Sequence, residues 1–164
     1  MKTIIIIVYL ILFFISPVRY ILPVKQLRNP HYESLSSFHG DTAQYLVKNF
    51  FDEQQLYKGR KLKYFLQKLE LPIARYYPFM ADKSINGIRM CAGLALTFNF
   101  TAVLKYPEAI SLFVYFKSNL PMDSCDKPFR NDYIKHRQTT FTGDNKRFYE
   151  NEMIDSIKYH LALN

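Results

Sequence analysis

Cys125, Asp132 and His136 carry the side chains of this chain that are most able to do covalent chemistry. They fall within twelve residues of one another, and a thiol nucleophile, a base and an orienting carboxylate are the groups that cysteine-dependent hydrolysis requires. Such sites usually draw these groups from separate elements of a rigid scaffold, whereas here one stretch supplies all three. We therefore expect no enzyme, and a small thiol-dependent or other hydrolase using Cys125 and His136 is the alternative.

Cys91 supplies the second thiol of the chain, and it falls in a strand pattern. Two cysteines can pair in an oxidising compartment, so Cys91 and Cys125 are candidates for a disulfide if the domain is exported. The four histidines do not show the spacing of a zinc site. The five glycines are scattered, and no glycine-rich phosphate loop precedes a helix. The sequence thus predicts no metal and no cofactor.

The stretch from residue 86 to residue 117 contains the strongest structural pattern. From Ile88 to Phe100 apolar residues alternate with small or polar ones, and the run from Ala109 to Lys117 repeats the alternation. Side chains of a strand point alternately to its two faces. The four residues Lys105–Glu108 include a proline that favours a turn between the runs. An antiparallel hairpin with one apolar face is the simplest interpretation.

Two helices are predicted ahead of this hairpin. Asp41 and Gln44 have the spacing of a helix N-cap, and the helix that follows should end between residues 52 and 55. A second helix is expected from residue 59 or 60 to Glu70, where Pro72 stops it.

Further elements flank the helices and the hairpin. The residues Ile73–Met80 alternate as a strand, and Pro72 and Pro78 favour the edge of a sheet for it. Residues 118–143 resemble a loop with a short element of unclear type. From Asp144 or Asn145 to the last residue a final helix is predicted by an apolar stripe at Tyr149, Met153, Ile154, Ile157 and Leu161.

These elements add up to an α+β domain with an N-terminal hydrophobic segment, two helices, a three-to-four-stranded antiparallel sheet and a C-terminal helix packed on the sheet. Residues 1–24 contain an unbroken run of 12 apolar residues, which suits a single-pass membrane anchor or a cleaved signal segment. Residues 25–40 form a polar connector, and residues 41–164 form the single α+β domain. We expect the domain to lie outside the cytosol, either anchored or, after cleavage, secreted or periplasmic.

Charge and aromatic residues indicate where this domain makes contacts. The net charge is +8, and a basic run at Lys58, Arg60, Lys61 and Lys63 crowds the start of the second predicted helix. Aromatic side chains on a sheet often mark a contact surface, and four are candidates. The predicted contact surface therefore consists of Lys58, Arg60, Lys61, Lys63, Tyr76, Tyr77, Phe113 and Tyr115.

The prediction for function is a small membrane-anchored or exported binding domain that contacts another envelope or surface protein. Residues 1–24 would contact the membrane. An exported domain seldom meets nucleic acid, so none is expected as a partner. Besides the hydrolase, a carrier of an apolar ligand held between the sheet and its helices is the other alternative.

Overall fold

A computed structural model describes residues 29–98, 110–136, 141 and 143–161. The predicted membrane segment 1–24 and the predicted turn Lys105–Glu108 lie outside this part of the chain. Where the backbone is described, no helix is both long and apolar enough to cross a bilayer.

Four strands form one antiparallel sheet whose spatial order follows the chain. They are β1 (Ile73–Met80), β2 (Met90–Phe98), β3 (Ile110–Pro121) and β4 (Ile154–Leu161). Within the described residues, five helices accompany the sheet: α1 (Thr42–Leu46), α2 (Gln54–Tyr57), α3 (Leu62–Leu66), α4 (Met122–His136) and α5 (Gly143–Tyr149). A 3₁₀ turn, Leu35–Phe38, precedes α1, and a π-helical turn, Val47–Phe51, continues it. The predicted α+β class with an antiparallel sheet is confirmed.

The first predicted helix begins where its cap signal lies. The Asp41 carboxylate accepts a hydrogen bond from the backbone N–H of Gln44 at 2.8 Å, which satisfies one of the donors left free at a helix start. Together α1 and its π-helical continuation extend to Phe51. Their buried side chains include Tyr45 and Asn49 beside Leu46 and Phe50. The extra residue of the π-helical turn widens the buried face beyond a stripe at spacings of three and four.

The three predicted strands are present, and β1 lies at an edge of the sheet as its prolines indicated. One face of the sheet joins the buried helix side chains in a single core. This core face contributes Tyr76, Cys91, Leu94, Leu96, Phe98, Leu112, Val114, Phe116, Ile154 and Ile157. The helices thus cover one side of the sheet.

The final helix is shorter than its stripe predicted, because it ends at Tyr149 and a fourth strand follows. A shift of register in β4 pairs Phe116 with Ile154 and Tyr115 with Ser156, so Asp155 is an extra residue there. A bulge of this kind moves the residues beyond it to the other face. Ile154 and Ile157 consequently both face the core at a spacing of three, which imitates one side of a helix.

Residues 122–136 form a helix although their composition favoured a loop. Met122 and Cys125 are buried, and Phe129 packs against the core from the same helix. Pro128 lies inside the helix and cannot donate a backbone hydrogen bond. Burial of one apolar face against the sheet therefore outweighs the local preference of the sequence.

The described part of the predicted connector, residues 29–40, packs on the domain. The Tyr32 hydroxyl donates to the Glu70 carboxylate at 2.6 Å, and the second oxygen of that carboxylate accepts from the Leu35 N–H at 2.9 Å. Phe38 is buried and packs edge-to-face on Tyr45. These contacts fasten the segment to the loop after α3.

Candidate functional site

The face of the sheet opposite the core carries three rows of side chains across the four strands, and we call it the outer face. The register of the strands defines the rows. Their members, from β1 to β4, are Arg75, Thr97, Ser111 and His160; Tyr77, Ala95, Phe113 and Lys158; and Phe79, Gly93, Tyr115 and Ser156. Large aromatic residues thus stand on β1 and β3, with small residues of β2 between them.

An aromatic cluster forms where the second and third rows meet. The Phe79 ring packs edge-to-face against Phe113 at 5.5 Å and against Tyr115 at 5.0 Å between ring centroids. Both contacts cross β2, and they form because Gly93 has no side chain. A Cβ at Gly93 would come within 3.0 Å of the Phe79 ring and would overlap the Val114 carbonyl oxygen. Gly93 therefore permits both the close approach of β2 to β3 and the aromatic cluster.

The outer face is basic. Arg75, Lys158 and His160 are exposed in its rows, and Lys117 is exposed two residues beyond Tyr115 on β3. The Lys158 Nζ lies 4.8 Å from the centroid of the Tyr115 ring, within reach of a cation–π interaction. None of the twelve row residues is acidic. A partner that carries negative charge would therefore meet no like charge within these rows.

The four aromatic residues of the predicted contact surface do not all lie on the same face of the sheet. Tyr77, Phe113 and Tyr115 belong to neighbouring rows of the outer face, as predicted for a shared sheet face, and the Tyr77 ring also lies 5.7 Å from the Phe129 ring of α4. The prediction for Tyr76 is wrong: this neighbour of Tyr77 points to the core, is fully buried and packs on Phe141 at 5.1 Å. Successive residues of a strand face opposite ways, so both could not be exposed. Phe79, two residues after Tyr77, was missed, although that spacing places it on the same face.

The basic run lies apart from the outer face. Lys58 and Arg60 precede α3, Lys61 is its N-cap residue, and Lys63 lies within the five-residue helix. Lys58 lies 3.8 Å from the Asp155 carboxylate, the Lys61 Nζ donates to Asn151 at 3.2 Å, and the Arg60 Nε donates to the Leu56 carbonyl at 3.0 Å. Each of these three side chains thus has a partner within the chain, and of the three partners only Asp155 is charged. As a contact surface, the run stays a prediction.

The two cysteines lie side by side in the core. Cys91 is fully buried, because the register shift between Cys91 and Gly93 moves it from the predicted small face of β2 to the core face. Cys125 is fully buried on α4, and its carbonyl accepts a hydrogen bond from the Tyr149 hydroxyl at 3.0 Å. A hydrogen bond between the two thiols lowers the pKa of Cys91 against the effect of burial. The same bond, together with burial, raises the pKa of Cys125.

This arrangement does not suit the hydrolase alternative. Cys125 and His136 stand eleven residues apart on the single helix α4, which separates their backbones by roughly 16 Å at 1.5 Å per residue. A nucleophile and its base must approach within hydrogen-bond distance. The raised pKa of Cys125 also keeps its thiol protonated at neutral pH. Across the described ranges, no group of three or more His, Cys, Asp or Glu side chains is placed to hold a metal ion.

Both thiols should therefore be unreactive in the reduced native protein. We expect iodoacetamide to alkylate them roughly 100-fold more slowly than an exposed thiol, the factor that corresponds to an opening free energy of about 2.7 kcal/mol. The matched control is Ser124→Cys, which adds an exposed thiol next to Cys125 on the same helix. Mass spectrometry after timed alkylation measures each rate. If Cys125 reacts as fast as a cysteine at position 124, its burial is contradicted and the hydrolase alternative is supported.

The predicted disulfide remains a prediction with a direct measurement. Protein taken from an oxidising compartment and denatured without reductant should show no free thiol at Cys91 or Cys125, since the two thiols are neighbours and neighbouring thiols are oxidised in such a compartment. Two alkylated cysteines in that material would contradict it.

Comparison with known proteins gives no relative: no protein-family model, no curated protein and no solved structure matches the chain. The class that fold and surface define is an α+β domain with an aromatic, basic sheet face.

Proposed function

We propose that this protein is a small binding domain, held at a membrane or exported, that contacts another envelope or surface protein through the outer face of its sheet. The observation that carries the proposal is the aromatic, basic outer face, which lies opposite the helix-covered core. Residues 1–24 would supply the attachment to the membrane and place the domain outside the cytosol.

The contacts that the aromatic rings of the outer face already make within the chain favour a protein over nucleic acid as partner. Single-stranded nucleic acid binds by stacking bases on free ring faces. On the outer face the Phe79 ring contacts Phe113 and Tyr115, and the Lys158 ammonium lies over the Tyr115 ring. Rings engaged in this way form an apolar surface with a basic margin. Interface centres rich in Tyr and Phe with charged rims are typical of protein contacts.

Charge sets the expected chemistry of the partner surface. Arg75, Lys117 and Lys158 are exposed around the aromatic cluster. Complementary charge raises the rate of association and excludes partners of like sign. We therefore expect the partner to present an apolar patch bordered by Asp and Glu.

Site-specific photo-crosslinking tests the proposal. A benzoylphenylalanine is placed at Tyr77 on the outer face and, as the matched control, at Phe148 on α5; both native side chains are 40% exposed. Full-length chains are irradiated in their native cells. We expect a discrete protein adduct from position 77 and none from position 148. Lys158→Glu in the same chain should reduce the adduct about tenfold, the effect of about 1.4 kcal/mol of lost charge contact.

Three outcomes would contradict the proposal. Equal adducts from positions 77 and 148 would indicate random collision, and an adduct insensitive to Lys158→Glu would remove the electrostatic part. An adduct that nuclease removes and protease does not would identify nucleic acid as the partner instead. A melting temperature close to that of the unmodified chain confirms that each variant is folded.

A further inference from the structure

The hairpin between β1 and β2 ends in an exposed, hydrogen-bonded turn, residues 82–89, which we call the hairpin tip. Ile85 and Ile88 exchange backbone hydrogen bonds of 3.0 and 2.9 Å. Between them Asn86 and Gly87 have φ angles of 52° and 76°, as a two-residue turn between antiparallel strands requires. All eight residues of the tip are exposed. The tip therefore projects from the sheet in a fixed conformation.

Two of the eight residues of the hairpin tip, Ile85 and Ile88, carry large apolar side chains, and Met80 lies just before the tip. Met80, Ile85 and Ile88 are 57%, 52% and 54% exposed, the highest values among the large hydrophobic residues of the described chain. Turns of this kind normally carry polar residues, and two isoleucines beside the apex face water at a cost in hydration free energy. A projecting tip has no concavity to receive a partner side chain, whereas a fluid apolar phase accepts a convex shape without complementary packing. Its form suits insertion rather than docking.

The charged residues around the hairpin tip indicate which kind of membrane surface it would contact. Lys83 and Arg89 flank the isoleucines, and no acidic residue lies between them in sequence. Asp82 and Asp123 lie at the base of the hairpin tip. The Arg89 guanidinium is 3.8 Å from the Asp123 carboxylate, a long distance for an ion pair, and both side chains are exposed. Lysine and arginine can keep their charges at the headgroups while apolar neighbours enter the acyl boundary.

We propose that the hairpin tip inserts Ile85 and Ile88 into the interface of an anionic lipid bilayer, with Lys83 and Arg89 at the lipid phosphates. This contact is separate from the predicted anchor in residues 1–24 and uses a different part of the domain from the outer face. It would fix the orientation of the domain on the membrane and does not depend on the proposed protein partner.

A single tryptophan tests the insertion, because the chain contains none. Ile88→Trp in the full-length chain places it at the tip, and Phe148→Trp places the control on α5, where the native side chain is also exposed. Vesicles contain phosphatidylcholine with phosphatidylserine, with and without brominated acyl chains. We expect the emission of the Ile88→Trp chain to shift to shorter wavelength and to lose most of its intensity with brominated lipid. The Phe148→Trp chain should keep its emission. Any attachment through residues 1–24 is common to both chains.

The proposal is overturned if the tryptophan at position 88 keeps a water-exposed emission while the protein sediments with the vesicles. Equal quenching at positions 88 and 148 would also overturn it, since it would indicate general adsorption. Equal quenching at position 88 on purely zwitterionic vesicles would overturn the role of Lys83 and Arg89. A tip that binds a protein instead would remain unquenched on lipid alone, with the crosslinking at Tyr77 unaffected.

Discussion

Gly93→Ala should lower the free energy of unfolding by about 3 kcal/mol, the upper range for inserting atoms into a packed site. The new methyl group would overlap the carbonyl oxygen of Val114, a backbone atom of the neighbouring strand that cannot rotate away. Either the two central strands separate or the hydrogen bonds between them distort. Urea denaturation followed by circular dichroism measures the loss.

Ala92→Gly is the matched control for this change. It makes the converse replacement at the adjacent position of β2, and its expected cost is only about 0.5–1 kcal/mol, from the greater freedom of glycine in the unfolded chain. If Gly93→Ala costs no more than Ala92→Gly, the close approach at Gly93 is wrong. The aromatic cluster that depends on this approach would then lose its structural basis as well.

Phe50→Ala should lower the free energy of unfolding by about 3–5 kcal/mol, the range for removing a buried phenylalanine. The Phe50 ring is fully buried and contacts three aromatic rings, Tyr45, Tyr57 and Phe65, at centroid distances of 5.7, 5.6 and 4.9 Å. Alanine leaves a cavity that rings held by helices on several sides cannot fill. Thermal and urea unfolding both measure this effect.

Phe148→Ala provides the comparison for Phe50→Ala, because it removes the same atoms from a side chain that is 40% exposed. We expect it to cost about 1 kcal/mol, since substitutions at exposed positions lose little burial. Equal costs for the two variants would mean that Phe50 is not packed among the aromatic rings of the helices.

The first three strands were predictable because alternation is a local property of a chain. Each of β1, β2 and β3 repeats apolar residues at a period of two, and few other structures produce that period. The Asp41 cap was readable for the same reason, since its hydrogen bond reaches a backbone N–H only three residues away. Neither inference required knowledge of what packs against the element.

Part of the aromatic contact surface could be predicted from the same alternation of side chains along a strand. Phe113 and Tyr115 share a face because they are two residues apart. Tyr77 joins them only through the pairing of β1 with β2 and of β2 with β3. Strand order and register bring together residues separated by more than thirty positions, and no local pattern encodes them. The adjacent Tyr76 was misplaced because alternation was not applied to the pair.

By itself, the sequence determined the α+β class, the first three strands, their apolar face and the start of the first helix, because periodicity and capping act over a few residues. The tertiary structure decided the positions that depend on bulges and packing. One shift of register brings Cys91 beside Cys125, and another gives β4 the spacing of a helix. The physical reason is that a bulge forms where it improves the pairing with the neighbouring strand and the packing in the core. These interactions involve residues far away in the chain, so the local sequence of one segment does not reveal them.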